Sequence, residues 1–172
     1  MLCLRSVCLL IALLCACSPP LDWRQVRPVG LELEAMFPCR PATLLRDVML
    51  VQRRVEMAMH ACATGGSTYA VGAAMLDDVR DVGAALTALR GAAVHNVAGS
   101  AAEQKAINVP GATPHEQSTR LLLVGKRPDG TPVIEHMAVF ARGARVYQAM
   151  VVGDRPDTDA VEMFFDGLKV RP

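Results

Sequence analysis

The sequence predicts an α+β fold: an antiparallel sheet with helices packed on it. Apolar and polar residues alternate from Val55 to Cys62, which is the period of a half-buried strand. The turn-forming groups Ala63–Ser67, Pro128–Gly130 and Arg142–Gly143 cut the apolar runs into hairpin lengths. After Asp77, and again after Asp157, the apolar spacing changes to three and four residues, the period of an amphipathic helix.

Taken in order, residues 18–31 read as an irregular tether, because Pro19, Pro20 and Pro28 oppose helix there. Trp23 lies in this segment and suits either a membrane interface or the edge of a core. A short strand is expected over Glu34–Arg40, ending near Pro38, and Arg46–Cys62 reads as extended throughout. Within it Val55, Met57, Met59 and Ala61 share one side, and Glu56, Ala58, His60 and Cys62 the other. Thr68–Ala73 is the returning strand.

Asp77 is the expected N-cap of the first helix, with Val79, Val82, Leu86, Leu89 and Ala93 as its buried stripe. The Asp-rich start is explained by helix-end electrostatics rather than by a metal. Asn96–Gln104 reads as a loop, Ala106–Val109 as a short strand, and Pro110–His115 as a proline-bracketed loop. Arg120–Lys126, Pro132–Ala141 and Arg145–Val152 follow as three strands. Leu121–Val124 is apolar on both faces, so the sheet should be covered on both sides. Asp157 or Thr158 caps a closing helix that buries Ala160, Val161, Phe164, Phe165 and Leu168.

Upstream of all this, Val7–Ala16 is an unbroken apolar run of ten residues after Arg5. A membrane-spanning helix needs about 20, so the run has signal-peptide length. Leu14-Cys15-Ala16-Cys17 resembles the lipobox of a bacterial lipoprotein signal. The resemblance implies cleavage after residue 16 and acylation of Cys17, several acyl chains together giving a durable membrane anchor. An ordinary secretory signal cut near Ala16 is the plainer alternative. Ser18, rather than Asp, after the cysteine resembles an outer-membrane sorting signal. The expected organisation is a signal peptide over 1–16, a lipidated tether over 17–31 and a single domain over 32–172.

Removing residues 1–16 takes away Arg5 alone and leaves 17 basic and 17 acidic residues. Such a balance argues against nucleic acid or an anionic surface as partner. Of the six cysteines, Cys3, Cys8 and Cys15 fall in the signal and Cys17 is the lipid site. Cys39 and Cys62 remain, in an oxidising compartment where a pair is usually bridged; two buried free thiols are the alternative. A bridge closing a loop of about 23 residues stabilises by about 3 kcal/mol.

Phe37-Pro38-Cys39-Arg40-Pro41, the helix after the first hairpin, Gly143–Ala149 and Phe164-Phe165-Asp166-Gly167-Leu168 together resemble the PsbP-like superfamily, which includes envelope lipoproteins of the DcrB type. Cys17-Ser18-Pro19-Pro20-Leu21-Asp22-Trp23-Arg24 is also similar to a group of uncharacterised Gram-negative lipoproteins. The resemblance implies an α/β/α sandwich that acts through partners without catalysis. It transfers no functional residues.

Catalytic signatures are missing from the sequence. There is no G-x-S-x-G elbow and no H-E-x-x-H pair, and Gly65-Gly66 opens a strand rather than a helix. The sharpest metal candidate is Met57-Ala58-Met59-His60-Ala61-Cys62, whose thioether, imidazole and thiol groups suit Cu(I). Strand alternation places its methionines opposite His60 and Cys62. His115, near Thr113 and Gln117, is the most exposed-looking candidate site residue. The expectation is a non-enzymatic, lipid-anchored envelope protein that binds or scaffolds a partner, with no cofactor. The alternative is a small-ligand or copper-handling lipoprotein using Met59, His60 and His115.

Overall fold

Residues 21–172 are described in a computed structural model, so Cys17 and the lipobox lie outside the described residues. Strand-forming sequence dominates. β1 (Arg24–Val26), β2 (Leu33–Phe37) and β10 (Lys169–Val170) form a small antiparallel sheet with β2 in the middle. The remaining strands are β3 (Ala42–Leu50), β4 (Arg53–Thr64), β5 (Ser67–Met75), β6 (Ser100–Ala106), β7 (Thr119–Lys126), β8 (Pro132–Arg142) and β9 (Arg145–Gly153). They build one seven-stranded antiparallel sheet in the order β3-β4-β5-β9-β8-β7-β6.

Both faces of the central strands are covered, but by different materials. On one face α1 (Val82–Asn96) lays Val82, Ala85, Leu86, Leu89 and Ala93 on Leu121, Leu123, Met137, Val139 and Val146. On the other face Leu33, Ala35 and Phe37 of the small sheet pack with α2 (Thr158–Asp166) over Tyr69, Val71, Phe140, Tyr147 and Val151. All seven aromatic residues of the chain belong to this second core, Trp23 at its margin. Phe164 stands edge-on to Phe37, Tyr69 and Phe165 at 5.3–5.6 Å, and such pairs add about 0.5–1.5 kcal/mol each beyond their buried area.

The expected helix-flanked α/β/α sandwich is therefore corrected to a mainly β architecture. The nine-residue α2 is too short to cover a wide sheet, and the alternating apolar residues of β2 complete that layer instead. Ala106–Val109, expected as a short strand, is irregular beyond Ala106, and of Asn96–Gln104, expected as a loop, Ser100–Gln104 form most of the edge strand β6. Its side chains are all exposed, so no buried face marks it in the sequence. The extended stretch Arg46–Cys62 is broken into a hairpin. Val51 (φ 49°) and Gln52 (φ 61°) both take left-handed conformations between the paired Leu50 and Arg53. That is a two-residue reverse turn normally made by Asn-Gly, and nothing in Val-Gln announces it.

The first helix begins one residue later than expected. Asp78, not Asp77, accepts the Arg80 N–H at 2.8 Å and opens a 3-10 turn, Val79–Asp81, before α1. The tighter turn shifts the phase, so Val79 is exposed and Ala85 takes its place in the stripe. The closing helix follows its sequence signal, with the Asp157 carboxylate accepting the Ala160 N–H at 2.8 Å. The tether expected up to residue 31 is corrected as well: from Leu21 onward the chain is built into the fold, and Leu31 is fully buried.

Candidate functional site

β3 forms one border of the large sheet and pairs with β4 over its whole length, leaving its other backbone edge free among the described residues. Leu45 and Met49 point to the small-sheet side and are 57% and 63% exposed; Leu44 points to the α1 side and is 46% exposed. Beside Leu45 lies a cleft of about 410 Å³. Ala58 and Ala73, directly paired across β4 and β5, give it a shallow floor, and Leu45, Met75 and Val29 enclose it. Arg145 at the rim donates to the Gly30 carbonyl at 2.8 Å and pairs with Glu32 at 3.4 Å.

None of the sequence candidates lines this cleft, and they form no ligand set among the described residues. Cys39 and Cys62 are joined in a disulfide with Cα atoms 6.0 Å apart. The bridge fixes the entry to β3 against β4. His60 is buried: the Thr43 hydroxyl donates to its Nδ1 and its Nε2–H donates to the Val29 carbonyl, each at 3.2 Å. The carbonyl can only accept, so Nε2 carries the proton. Both ring nitrogens thus tie the Val29 bend to the sheet. Met59 packs towards the α1 side, over Gly72, on the opposite face from His60. His115 lies far along the chain fold, with its ring against Gly83 and its Nδ1 accepting the Gln117 N–H at 3.0 Å. Met59, His60 and His115 are not brought together.

The Pro110–His115 loop is a crossover held by backbone contacts. Pro110 accepts from the Val170 N–H at 2.8 Å, and Thr113 bridges to Ala141. Gly111 (φ +81°) turns the chain where a side chain would collide with the Val170 carbonyl. Trp23 sits edge-on to Tyr69 at 6.1 Å, at the core margin.

A second, polar groove runs between β7, β8 and α2. Arg120 is nearly buried and donates from both terminal nitrogens to Glu162, at 2.8 and 2.7 Å, while its guanidinium carbon lies 4.2 Å over the Phe165 ring. The Arg120 hydrogen bonds hold the Glu162 carboxyl below its usual value. Burial, and then the Arg120 charge, push the neighbouring His136 imidazole below its usual value, favouring its neutral form. Cavities of about 400 and 220 Å³ meet at Arg120 and Lys105. The Arg120 fork is already filled by Glu162, so this arrangement clamps α2 to the sheet and leaves Lys105 as the cation facing the groove.

Sequence reasoning passed over Arg120, Glu135, Leu44 and Leu45. Glu135 is a buried carboxyl among Leu123, Val133, Met137 and Val152, its Oε1 without a hydrogen-bond partner among the described residues, and burial pushes its pKa up to about 7. Alternation along β8 could have placed it inward, since Val133, Met137 and Val139 share its parity. Leu44 and Leu45 could not be assigned to an edge before the strand order was known. No protein-family model matches the chain. No curated protein matches it either.

Proposed function

We propose that this chain is a lipid-anchored, non-enzymatic protein of the bacterial cell envelope that binds a protein partner by accepting an extended segment of it along β3. The free, apolar border of β3 beside the cleft is the observation that carries the reading. An exposed edge strand offers a row of unpaired backbone groups, and strand addition satisfies them. The incoming segment has apolar side chains opposite Leu45 and Met49 and an acid opposite Arg46. Asp47, the other charge on β3, is already beside Arg54 at 3.5 Å, which leaves the arginine as the local excess.

Leu14-Cys15-Ala16-Cys17 supports acylation at Cys17, and Ser18 supports the outer membrane rather than the inner. The resemblance to PsbP-like lipoproteins of the DcrB type supports a role exercised through partners. A cleft of about 410 Å³ also suits a small apolar ligand, which is the second reading.

The test is cross-linking in living cells from a photoreactive residue at Leu45, with the same probe at Gln104 on β6 for comparison. A discrete protein adduct from position 45 and none from 104 is expected. Equal adducts from both, or none from 45, overturns strand addition. A small apolar molecule extracted with the purified protein, with no adduct from 45, favours the second reading. Separately, Cys17→Ser should move the protein out of the membrane fraction.

A further inference from the structure

We infer that the end of the large sheet bearing the Gly65–Gly66 and Arg127–Thr131 turns lies against the lipid surface, with β3 rising away from the membrane. The inference rests on the proposed acylation of Cys17 and adds an orientation to it.

The first described residues are pinned to that end. The Leu21 side chain lies 3.5 Å from where a Cβ on Gly65 would sit, and the Asp22 N–H donates to the Pro38 carbonyl at 2.8 Å. Trp23 is seated against Tyr69, which pairs with Cys62 three residues before the Gly65 turn. Four peptide steps separate Cys17 from Leu21. Fully extended, they span about 14 Å. An acylated Cys17 therefore keeps the Gly65 end within about that distance of the bilayer.

The registers show what else shares this end. Thr64 pairs with Ser67, Ser67 with Gly153, and Gly153 with Ile134, next to the Lys126–Pro132 pair that closes the β7–β8 turn. The Leu50–Arg53 and Arg142–Arg145 pairs close hairpins at the opposite end. β4 connects the two ends over twelve residues, which is about 40 Å of strand. In the inferred orientation, with the Gly65 end against the bilayer, the Val51-Gln52 turn stands up to about 40 Å above the surface, and the free edge of β3 is presented along the intervening height.

The chemistry of the lower end suits a headgroup layer held by lipid rather than by charge. Lys126, Arg127 and Arg155 are set against Asp129 and Asp154, and Gly65, Gly66 and Gly130 add no bulk. Contact with zwitterionic headgroups should therefore be insensitive to salt.

The test places an environment-sensitive fluorophore at Thr131 or at Gln52 in the full acylated protein, reconstituted in phosphatidylcholine vesicles containing a headgroup nitroxide quencher. Quenching should be several-fold stronger from position 131 than from 52, and unchanged between low and high salt. Inserting twelve Gly and Ser residues between Pro20 and Leu21 should reduce the difference. Equal quenching, or stronger quenching at 52, overturns the orientation while leaving the anchor intact. The mass of the mature chain reads the anchor independently: no acyl group on Cys17 removes the premise, and the orientation falls with it.

Discussion

The two borders of the large sheet are built on different rules. β6 is short, carries Glu103 and Lys105, and is interrupted by a register shift between Ala101 and Glu103. β3 also carries one acid and one base, Asp47 and Arg46, so it is the irregularity of β6, rather than charge, that discourages another strand from adding there. β3 is longer, is paired without a break, and shows Leu44, Leu45 and Met49 to solvent. Had both borders needed only solubility, both would be expected to carry the same protection. Their difference is the contrast on which the proposed strand addition along β3 rests.

The disulfide lies at the protected start of this otherwise unprotected border, and three measurements press on the comparison. The largest effect is expected from pH, acting on the centre rather than on either border. Burial holds the Glu135 pKa at about 7, against 4.5 for a free glutamate. Between those values the folded protein keeps a proton that the unfolded chain has lost, so stability falls as pH rises through this window and is fully present below it. The fall should amount to about 3 kcal/mol. Glu135→Gln should abolish it, as read from denaturant midpoints of both proteins at pH 4.5 and 7.5. If the variant keeps the same slope, Glu135 is not the group responsible. Because β8 is central, amide protection factors, which correct for the intrinsic slowing of exchange in acid, should rise at low pH in the middle strands and leave the contrast between β3 and β6 unchanged.

Removing the bridge with Cys39→Ala and Cys62→Ala together should cost on the order of 3 kcal/mol. It should also raise amide exchange in β3 more than in β6, because the bridge clamps only the β3 side. Uniform loosening of both borders would show that the bridge stabilises the fold as a whole and not this border.

The smallest effect is expected at the far end of β3. Val51 and Gln52 hold positive φ, and a β-branched residue is strained there. Replacing the pair by Asn-Gly should stabilise the protein by about 1 kcal/mol, measured as a shift of the denaturant midpoint with an unchanged slope. No gain would mean that neighbouring packing already compensates the strain. If strand addition is the function, the stiffer hairpin should also cross-link from position 45 at least as well as the parent.

Legibility followed the availability of a local signal. Strands β7, β8 and β9 and helix α2 stood where apolar period and turn residues placed them, because each buries a face and ends at a recognised breaker. β6 buries nothing and the β3–β4 turn uses no turn residue, so neither could be read. The Cys39–Cys62 bridge was legible from arithmetic, while the burial of His60 between Thr43 and Val29 was not, since its partners lie 17 and 31 residues away.

By itself, then, the sequence determined the strands that bury a face, the two helices with most of their buried stripes, the bridged cysteines and the lipobox-like start. These depend on residue type at fixed short spacing. Tertiary structure alone decided which strands became borders, which faces β2 and α2 would cover, and where the Cys17-proximal chain is pinned. Those depend on strand order, and strand order is set by burial between residues far apart in the chain.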